Sequence, residues 1–188
     1  LGFLALVWHR LGIPAKIYFD EVHYVPAARK LLEMQSANPE HPLLGKEIIA
    51  AAIALLGDKP LSWRIPSALF GAFGLFAFGR MLWWANGRRF AALAGMALLA
   101  TGFAWFIQSR IAMLDMFMAG FGMAALWQVA AALHATPRKA RLRLGLAGVL
   151  LGLALGAKWS VAPAAMLPGI AFFAYRFRDH GRRCLVER

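Results

Sequence analysis

Cysteine is nearly absent from this 188-residue chain: Cys184 stands alone in a basic tail, so no internal disulfide framework can form. Acidic residues are scarce too, nine Asp and Glu against 21 Lys and Arg, and charged residues of both signs make up only 16%. Soluble domains carry about 25% charged residues, so an ordinary soluble domain is a poor fit. Intrinsic disorder is excluded by the opposite excess, 61% hydrophobic residues and a mean hydropathy of +0.58, because disordered chains need low hydrophobicity. A net charge of +12 would suit nucleic acid, but so apolar a composition does not. The five histidines show no spacing such as H-x-x-x-H, so the pattern supports no metal site. No basic leader precedes the apolar run at Leu1 and no small-residue cleavage site follows it. It reads as the end of an earlier helix whose start is missing, and not as a signal peptide.

What the chain does contain is a succession of apolar stretches near membrane-span length. Ile65 to Trp84 is apolar except for Arg80, Phe90 to Ile107 has no charge, and Ile111 to Leu133 carries only Asp115. Leu144 to Ala157 and Val161 to Tyr175 flank Lys158-Trp159-Ser160. The first of these two is short: 14 residues reach ~21 Å against ~30 Å of hydrocarbon. Snorkelling of Arg141 and Arg143, with some recession of Lys158, would make up the difference. Leu43 to Gly57 is apolar as well, but its 15 residues and its Lys46-Glu47 pair suit an interfacial helix better. Gly145, Gly148, Gly152 and Gly156, four or fewer residues apart, are expected to allow close helix packing.

Charge placement orients the spans. Basic clusters at Arg88-Arg89, at Arg138 to Arg143, and at Arg176, Arg178, Arg182 and Arg183 are separated by pairs of spans and fall on one side. The positive-inside rule makes that side cytoplasmic. The opposite side then receives six of the nine acids, Asp20, Glu21, Glu33, Glu40, Glu47 and Asp58, in one outer loop. Between Lys59 and Arg178 the single acid is Asp115. An ionisable group at membrane depth costs at least ~2.5 kcal/mol and marks a functional candidate. Arg110, five residues earlier, is its expected partner, in an ion pair that can be structural, functional or both.

Three outer-face elements could carry chemistry. In Phe19-Asp20-Glu21-Val22-His23-Tyr24 the adjacent carboxylates repel, which can raise one pKa toward that of a general base; equally, Asp20 and Glu21 suit a helix start. In His41-Pro42-Leu43-Leu44-Gly45-Lys46, His41 and Lys46 near a helix N-terminus could hold an anion, or Lys46 could anchor to headgroups. In Gly156-Ala157-Lys158-Trp159-Ser160, Lys158 could meet a phosphate, or snorkel beside an interfacial Trp159. These residues alone are compatible with an enzyme acting on a lipid phosphate and with a transporter gated by Arg110 and Asp115.

With Arg64-Ile65-Pro66-Ser67-Ala68-Leu69-Phe70-Gly71 and Gln108-Ser109-Arg110-Ile111-Ala112-Met113-Leu114-Asp115 added in order, the chain resembles the N-terminal membrane part of bacterial-type protein O-mannosyltransferases. These belong to the GT-C-fold glycosyltransferases that use phospholipid-carried sugars. The resemblance implies an all-α polytopic membrane protein that transfers a sugar, expected to be mannose, from a polyprenyl-phosphate carrier to a protein Ser/Thr hydroxyl, with inversion. It implies Asp20 as general base, Glu21 positioning it or the acceptor, and His41, Lys46, Arg110 and Lys158 holding the carrier phosphate, with Asp115 orienting Arg110 or joining the site. One departure stands out: the family's usual His-Pro-Pro is His41-Pro42-Leu43 here, which bears on membership of the strict protein-mannosylating branch.

The expected organisation is a truncated first transmembrane helix over 1–17, an extracytoplasmic loop with interfacial helices over 18–63, about five spans over 64–175, and a basic cytoplasmic segment over 176–188. The location is the bacterial inner membrane, with the active site on the extracytoplasmic side. The sequence calls for no cofactor and leaves a divalent metal open; the partners are the polyprenyl-phosphate sugar, a protein or lipid acceptor and membrane lipids, with no nucleic acid. The alternatives are transfer of another sugar to a lipid or glycan within the same class, or a transporter or flippase. The latter would show inverted repeats, and none is visible.

Overall fold

Pro60, Pro137, Gly87 and Gly102 stand at helix boundaries, whereas Pro26, Pro66 and Pro168 lie inside helices. The computed structural model describes residues 1–180, with side chains as far as Arg178; Arg182, Arg183 and Cys184 of the basic segment lie outside the described residues. Among the described residues every regular element is helical: α1 (Gly2–Trp8), α2 (Glu21–Leu32), α3 (Leu44–Leu56), α4 (Pro60–Asn86), α5 (Arg89–Thr101), α6 (Phe103–Gln108), α7 (Leu114–Ala132), α8 (Pro137–Ala157), a 3₁₀ turn (Trp159–Val161) and α9 (Ala162–His180). Pro60 and Pro137 open α4 and α8 after extended residues, where their missing N–H is no loss. Gly87, at φ 65°, closes α4 in the left-handed region.

Among the described residues four stretches are long and apolar enough to cross a membrane: Pro60–Asn86, Leu114–Ala132, Pro137–Ala157 and Trp159–Arg178. This is a multi-pass membrane protein. The short span expected at Leu144 is lengthened to 21 residues, because α8 takes in Arg138, Lys139, Arg141 and Arg143 and starts at Pro137. It reaches ~31 Å. The uninterrupted span expected over Phe90 to Ile107 is instead broken. Gly102 is extended (φ −63°, ψ 120°) and separates the 13-residue α5 from α6, at a Thr-Gly pair of weak helix formers. The break turns Trp105 toward α4, where its indole N–H donates to the Gly71 carbonyl (3.2 Å).

The centre of the bundle is α7, packed between α4 and α8. Close approach comes from glycines other than those expected. A Cβ on Gly74 would sit 3.2 Å from the Cα of Gly120, and one on Gly120 would sit 2.8 Å from Phe70 Cδ1. Gly145, Gly148 and Gly152 face open space, and Gly156 only brushes Leu44. The spacing rule failed there because α8 turns those positions away from its neighbours. At one end of the bundle α2 and α3 lie over α4, α7 and α8. They bury a core of Tyr24, Val25, Ile49, Ile53, Trp63, Ile111, Leu114 and Phe117. Being 13 residues long, α3 extends ~20 Å, too short to span.

Candidate active site

The site end is organised by a charge inside the protein. Arg64, in the second turn of α4, and Glu21, the first residue of α2, are both fully buried. Arg64 Nε donates to Glu21 Oε1 at 2.7 Å and Nη2 to Oε2 at 2.8 Å. The remaining N–H groups reach the carbonyls of Leu11 (3.2 Å), Pro14 (2.9 Å) and Lys16 (3.1 Å), so all five guanidinium donors are used. Glu21 in turn accepts the backbone N–H of Ala112 (3.0 Å) and of Tyr18 (3.3 Å). One ion pair therefore joins the 11–18 segment, α2, α4 and the turn before α7. Ser67 tightens the same turn by accepting the Met113 N–H (3.2 Å).

Asp20 sits directly on this bracket. It occupies the cap position of α2, yet its side chain makes no capping hydrogen bond and is partly open to solvent. Phe19 before it is in the left-handed region (φ 54°), a conformation costing a bulky residue on the order of 1–2 kcal/mol. The chain tolerates this because Glu21 is anchored on one side and Tyr18 is bonded to it on the other. One turn further along α2, the buried Tyr24 hydroxyl is pushed up to about 12, first by burial, then by the negative charges of Asp20, Asp115 and Glu40. It stays protonated at neutral pH.

Asp115 comes from the first turn of α7 and Lys158 from the residue closing α8. Nζ of Lys158 lies 2.8 Å from Oδ1 and 2.7 Å from Oδ2 of Asp115, with the side chains 17% and 20% exposed. Acid at a helix start and base at a helix end also match the helix dipoles. The expected Arg110–Asp115 pair does not form. Arg110 instead donates to carbonyls at the end of α1, at 2.8 Å to Val7 and His9 and 3.4 Å to Leu6 and Arg10, and lies over the Phe106 ring. The orphan carbonyls of a helix end out-competed a carboxylate that a nearer cation had already reached.

Lys46 is 1% exposed, and its ammonium donates to the carbonyls of His41 (2.8 Å) and Asn38. Burial pushes its pKa down, partly opposed by Glu40. It stands behind the 38–41 loop and holds it in place. The His41 ring lies 6.3 Å from the Tyr24 ring and shares with Leu31, Gln35 and Trp159 a cleft of about 430 Å³. The structure thus gathers Asp20, Tyr24, His41, Asp115 and Lys158 at one end of the bundle, Glu21 and Lys46 beneath them, and Arg110 toward α1. Among the described residues no three His, Cys, Asp or Glu side chains meet as a metal site would require. Arg64 and Tyr24 were not singled out as site residues from the sequence, although an arginine opening an apolar span was the available signal.

Known proteins are similar to this chain in sequence and in fold. A polyprenol-phosphate-mannose–protein mannosyltransferase of Mycolicibacterium smegmatis is 33% identical, aligned over 76% of this chain and 33% of its own. A protein of the same name from Mycobacterium tuberculosis is 33% identical, over 76% of this chain and 32% of its own. The chain therefore spans about a third of the length of these curated relatives. The solved Saccharomyces cerevisiae protein O-mannosyltransferase Pmt1-Pmt2 complex bound to the sugar donor superposes with a TM-score of 0.77 at 25% identity, covering 84% of this chain and 24% of that one. The family model described as dolichyl-phosphate-mannose-protein mannosyltransferase matches residues 1–66 and 60–176. This helical membrane chain, with its buried Glu21–Arg64 bracket, belongs to that mannosyltransferase family.

Proposed function

We propose that the protein transfers mannose from a polyprenyl-phosphate carrier to a Ser/Thr hydroxyl of a protein acceptor, with Asp20 as general base. The observation that carries this reading is the Asp20 carboxylate: unbonded, partly open, and fixed by the saturated Glu21–Arg64 pair next to it. Names of the relatives supply the donor and the acceptor class.

Asp20 takes the proton of the acceptor hydroxyl as its oxygen attacks the anomeric carbon of the mannose. Attack comes from the face opposite the phosphate, so the C1–O bond to the carrier breaks with inversion and polyprenyl phosphate leaves with the bonding electrons. Lys158 faces the charge that develops on that phosphate. Asp115 holds Lys158 at the end of α8 and offsets its charge. Glu21, fully buried, acts through Asp20 and not on the acceptor. Lys46 and Arg110 act through the loop and the helix end they bind, and His41 belongs to the wall of the neighbouring cleft. Asp20 and the acids of the 20–58 segment lie on the extracytoplasmic side of the bacterial inner membrane, because the basic clusters gather at the other end.

The test is transfer of labelled mannose from polyprenyl-phosphate mannose to an acceptor peptide by the full-length protein, with the product identified by mass spectrometry. Asp20→Asn abolishes transfer while donor binding survives. Undiminished turnover, or label on a lipid or glycan in place of the peptide, overturns the reading.

A further inference from the structure

Next to the candidate base lies the cleft of about 430 Å³ that no step of sugar transfer uses. It is bounded by Leu31 at the end of α2, by the 35–43 segment, and by Trp159 on the turn after α8. Asp20, Tyr24 and Leu31 stand on one face of α2: at 100° per residue they fall within about 40° of one another. The cleft therefore continues a strip that starts at Asp20. Leu31 stands ~16 Å from Asp20 along the helix axis. The near edge is His41, whose ring lies 6.3 Å from that of Tyr24. On the other side, Trp159 directly follows Lys158, the partner of Asp115.

The described residues that bound the cleft include no Asp, Glu, Lys or Arg. Leu31, Pro39, Pro42, Leu43 and Trp159 form apolar walls, with Leu43 46% and Trp159 56% exposed. Gln35, Ser36 and His41 add polar groups. His41 Nδ1 is buried without a partner, which leaves Nε2 to make any contact from this ring to a ligand. The backbone contributes as well. Residues 35–38 lie outside any helix, and Ser36 is exposed. The N–H groups of Ser36, Ala37 and Asn38 and the carbonyls of Gln35, Ser36 and Ala37 have no hydrogen-bond partner among the described residues. Free main-chain donors and acceptors beside apolar walls fit an extended polypeptide, whose own backbone pairs with them while alternate side chains enter the cleft. An isoprenoid chain would cover these polar groups without pairing them, and a charged ligand would find no counter-charge.

We propose that this cleft holds the acceptor polypeptide in extended form and selects an uncharged apolar side chain, aliphatic or proline, about four or five residues from the mannosylated Ser/Thr. The spacing is the ~16 Å from Asp20 to Leu31 at ~3.3 Å per residue of extended chain. The inference rests on the reading of Asp20 as the base that serves a protein acceptor.

Mannose transfer by the full-length protein to synthetic peptides tests it. Each peptide carries one Thr in an Ala-Gly background, with Leu, Gly or Lys at the fourth and fifth residues before or after it. On one side, Leu raises kcat/KM at least about tenfold over Gly, and Lys does not. Trp159→Ala and Leu43→Ala, both at exposed positions, reduce that preference to within about twofold with the donor KM unchanged. N-methylation of the peptide nitrogens in the same stretch raises the peptide KM about fivefold. Transfer without a flank preference overturns the proposal and leaves the reading of Asp20 standing, as does a wild-type preference in both variants. A raised donor KM with the peptide preference intact also overturns it, assigning the cleft to the isoprenoid carrier. No transfer to any peptide overturns the reading of a protein acceptor, and this inference with it.

Discussion

Glu21 and Arg64, 43 residues apart in sequence, meet in a two-pronged ion pair with no exposed surface on either side chain. A buried pair is costly to assemble and far more costly to break, because the survivor is left as an unpaired charge. Arg64→Ala is therefore expected to destabilise the protein by about 3–5 kcal/mol, read as a large drop in Tm of the detergent-purified protein. Replacing both partners by Leu and Met should cost less than either single change.

Asp20→Asn should behave in the opposite way. Its side chain makes no hydrogen bond within the protein, so stability should stay within about 0.5 kcal/mol of wild type. Transfer should be lost. Thermal unfolding and turnover measured on one preparation separate this from general damage, and a large fall in Tm would refute it.

The Lys158–Asp115 pair carries a coupling that a double-mutant cycle can read. Lys158→Met and Asp115→Asn should each destabilise, and together by less than their sum, with a coupling within about 0.5–3 kcal/mol. Lys158→Met alone should also raise the apparent KM for the polyprenyl-phosphate donor. A wild-type KM would assign Lys158 to holding α7 and α8 together and nothing more.

Tyr24 gives a pH signature. Its hydroxyl is raised from about 10 to about 12 in the folded protein, so the folded state holds the proton more tightly than the unfolded chain does. That contribution to stability is fully present below pH about 10 and is lost as pH rises toward about 12. Tyr24→Phe should flatten the alkaline fall of stability in this window. The difference in tyrosinate absorbance between wild type and variant should report a group titrating near the upper end of it.

Helix packing offers a contrast between glycines. Gly120→Ala places a Cβ 2.8 Å from Phe70 Cδ1 and 3.3 Å from the Phe70 carbonyl, and overpacking of this kind costs about 1–3 kcal/mol. Gly148→Ala meets nothing within 4 Å and should be neutral or slightly stabilising, since alanine is the better helix former. Thermal unfolding of the two variants side by side decides it.

Several residues of the candidate site were legible from local rules. Asp20 stood out as one of two adjacent acids at a helix start, and Asp115 as the lone acid of a long apolar region. Lys158 was visible as a cation between two spans. Their partners were not legible. Arg110 is five residues from Asp115 and Lys158 is 43 away, so proximity in sequence favoured the wrong cation. Lys46 read as a surface anchor or an anion ligand, yet it is buried under the loop whose carbonyls it binds.

The sequence by itself determined what depends on composition and on period: a helical membrane chain, most of its apolar stretches, and the collection of six acids in one loop and of basic clusters between spans. These follow from the cost of placing polar groups in hydrocarbon, which acts on every residue independently. Only the tertiary structure decided which charges meet, which glycines carry close contact, and which carboxylate is left unbonded. Those outcomes depend on the rotation of each helix about its own axis. That rotation is set by the sum of many side-chain contacts across α4, α7 and α8, and no single stretch of sequence contains it.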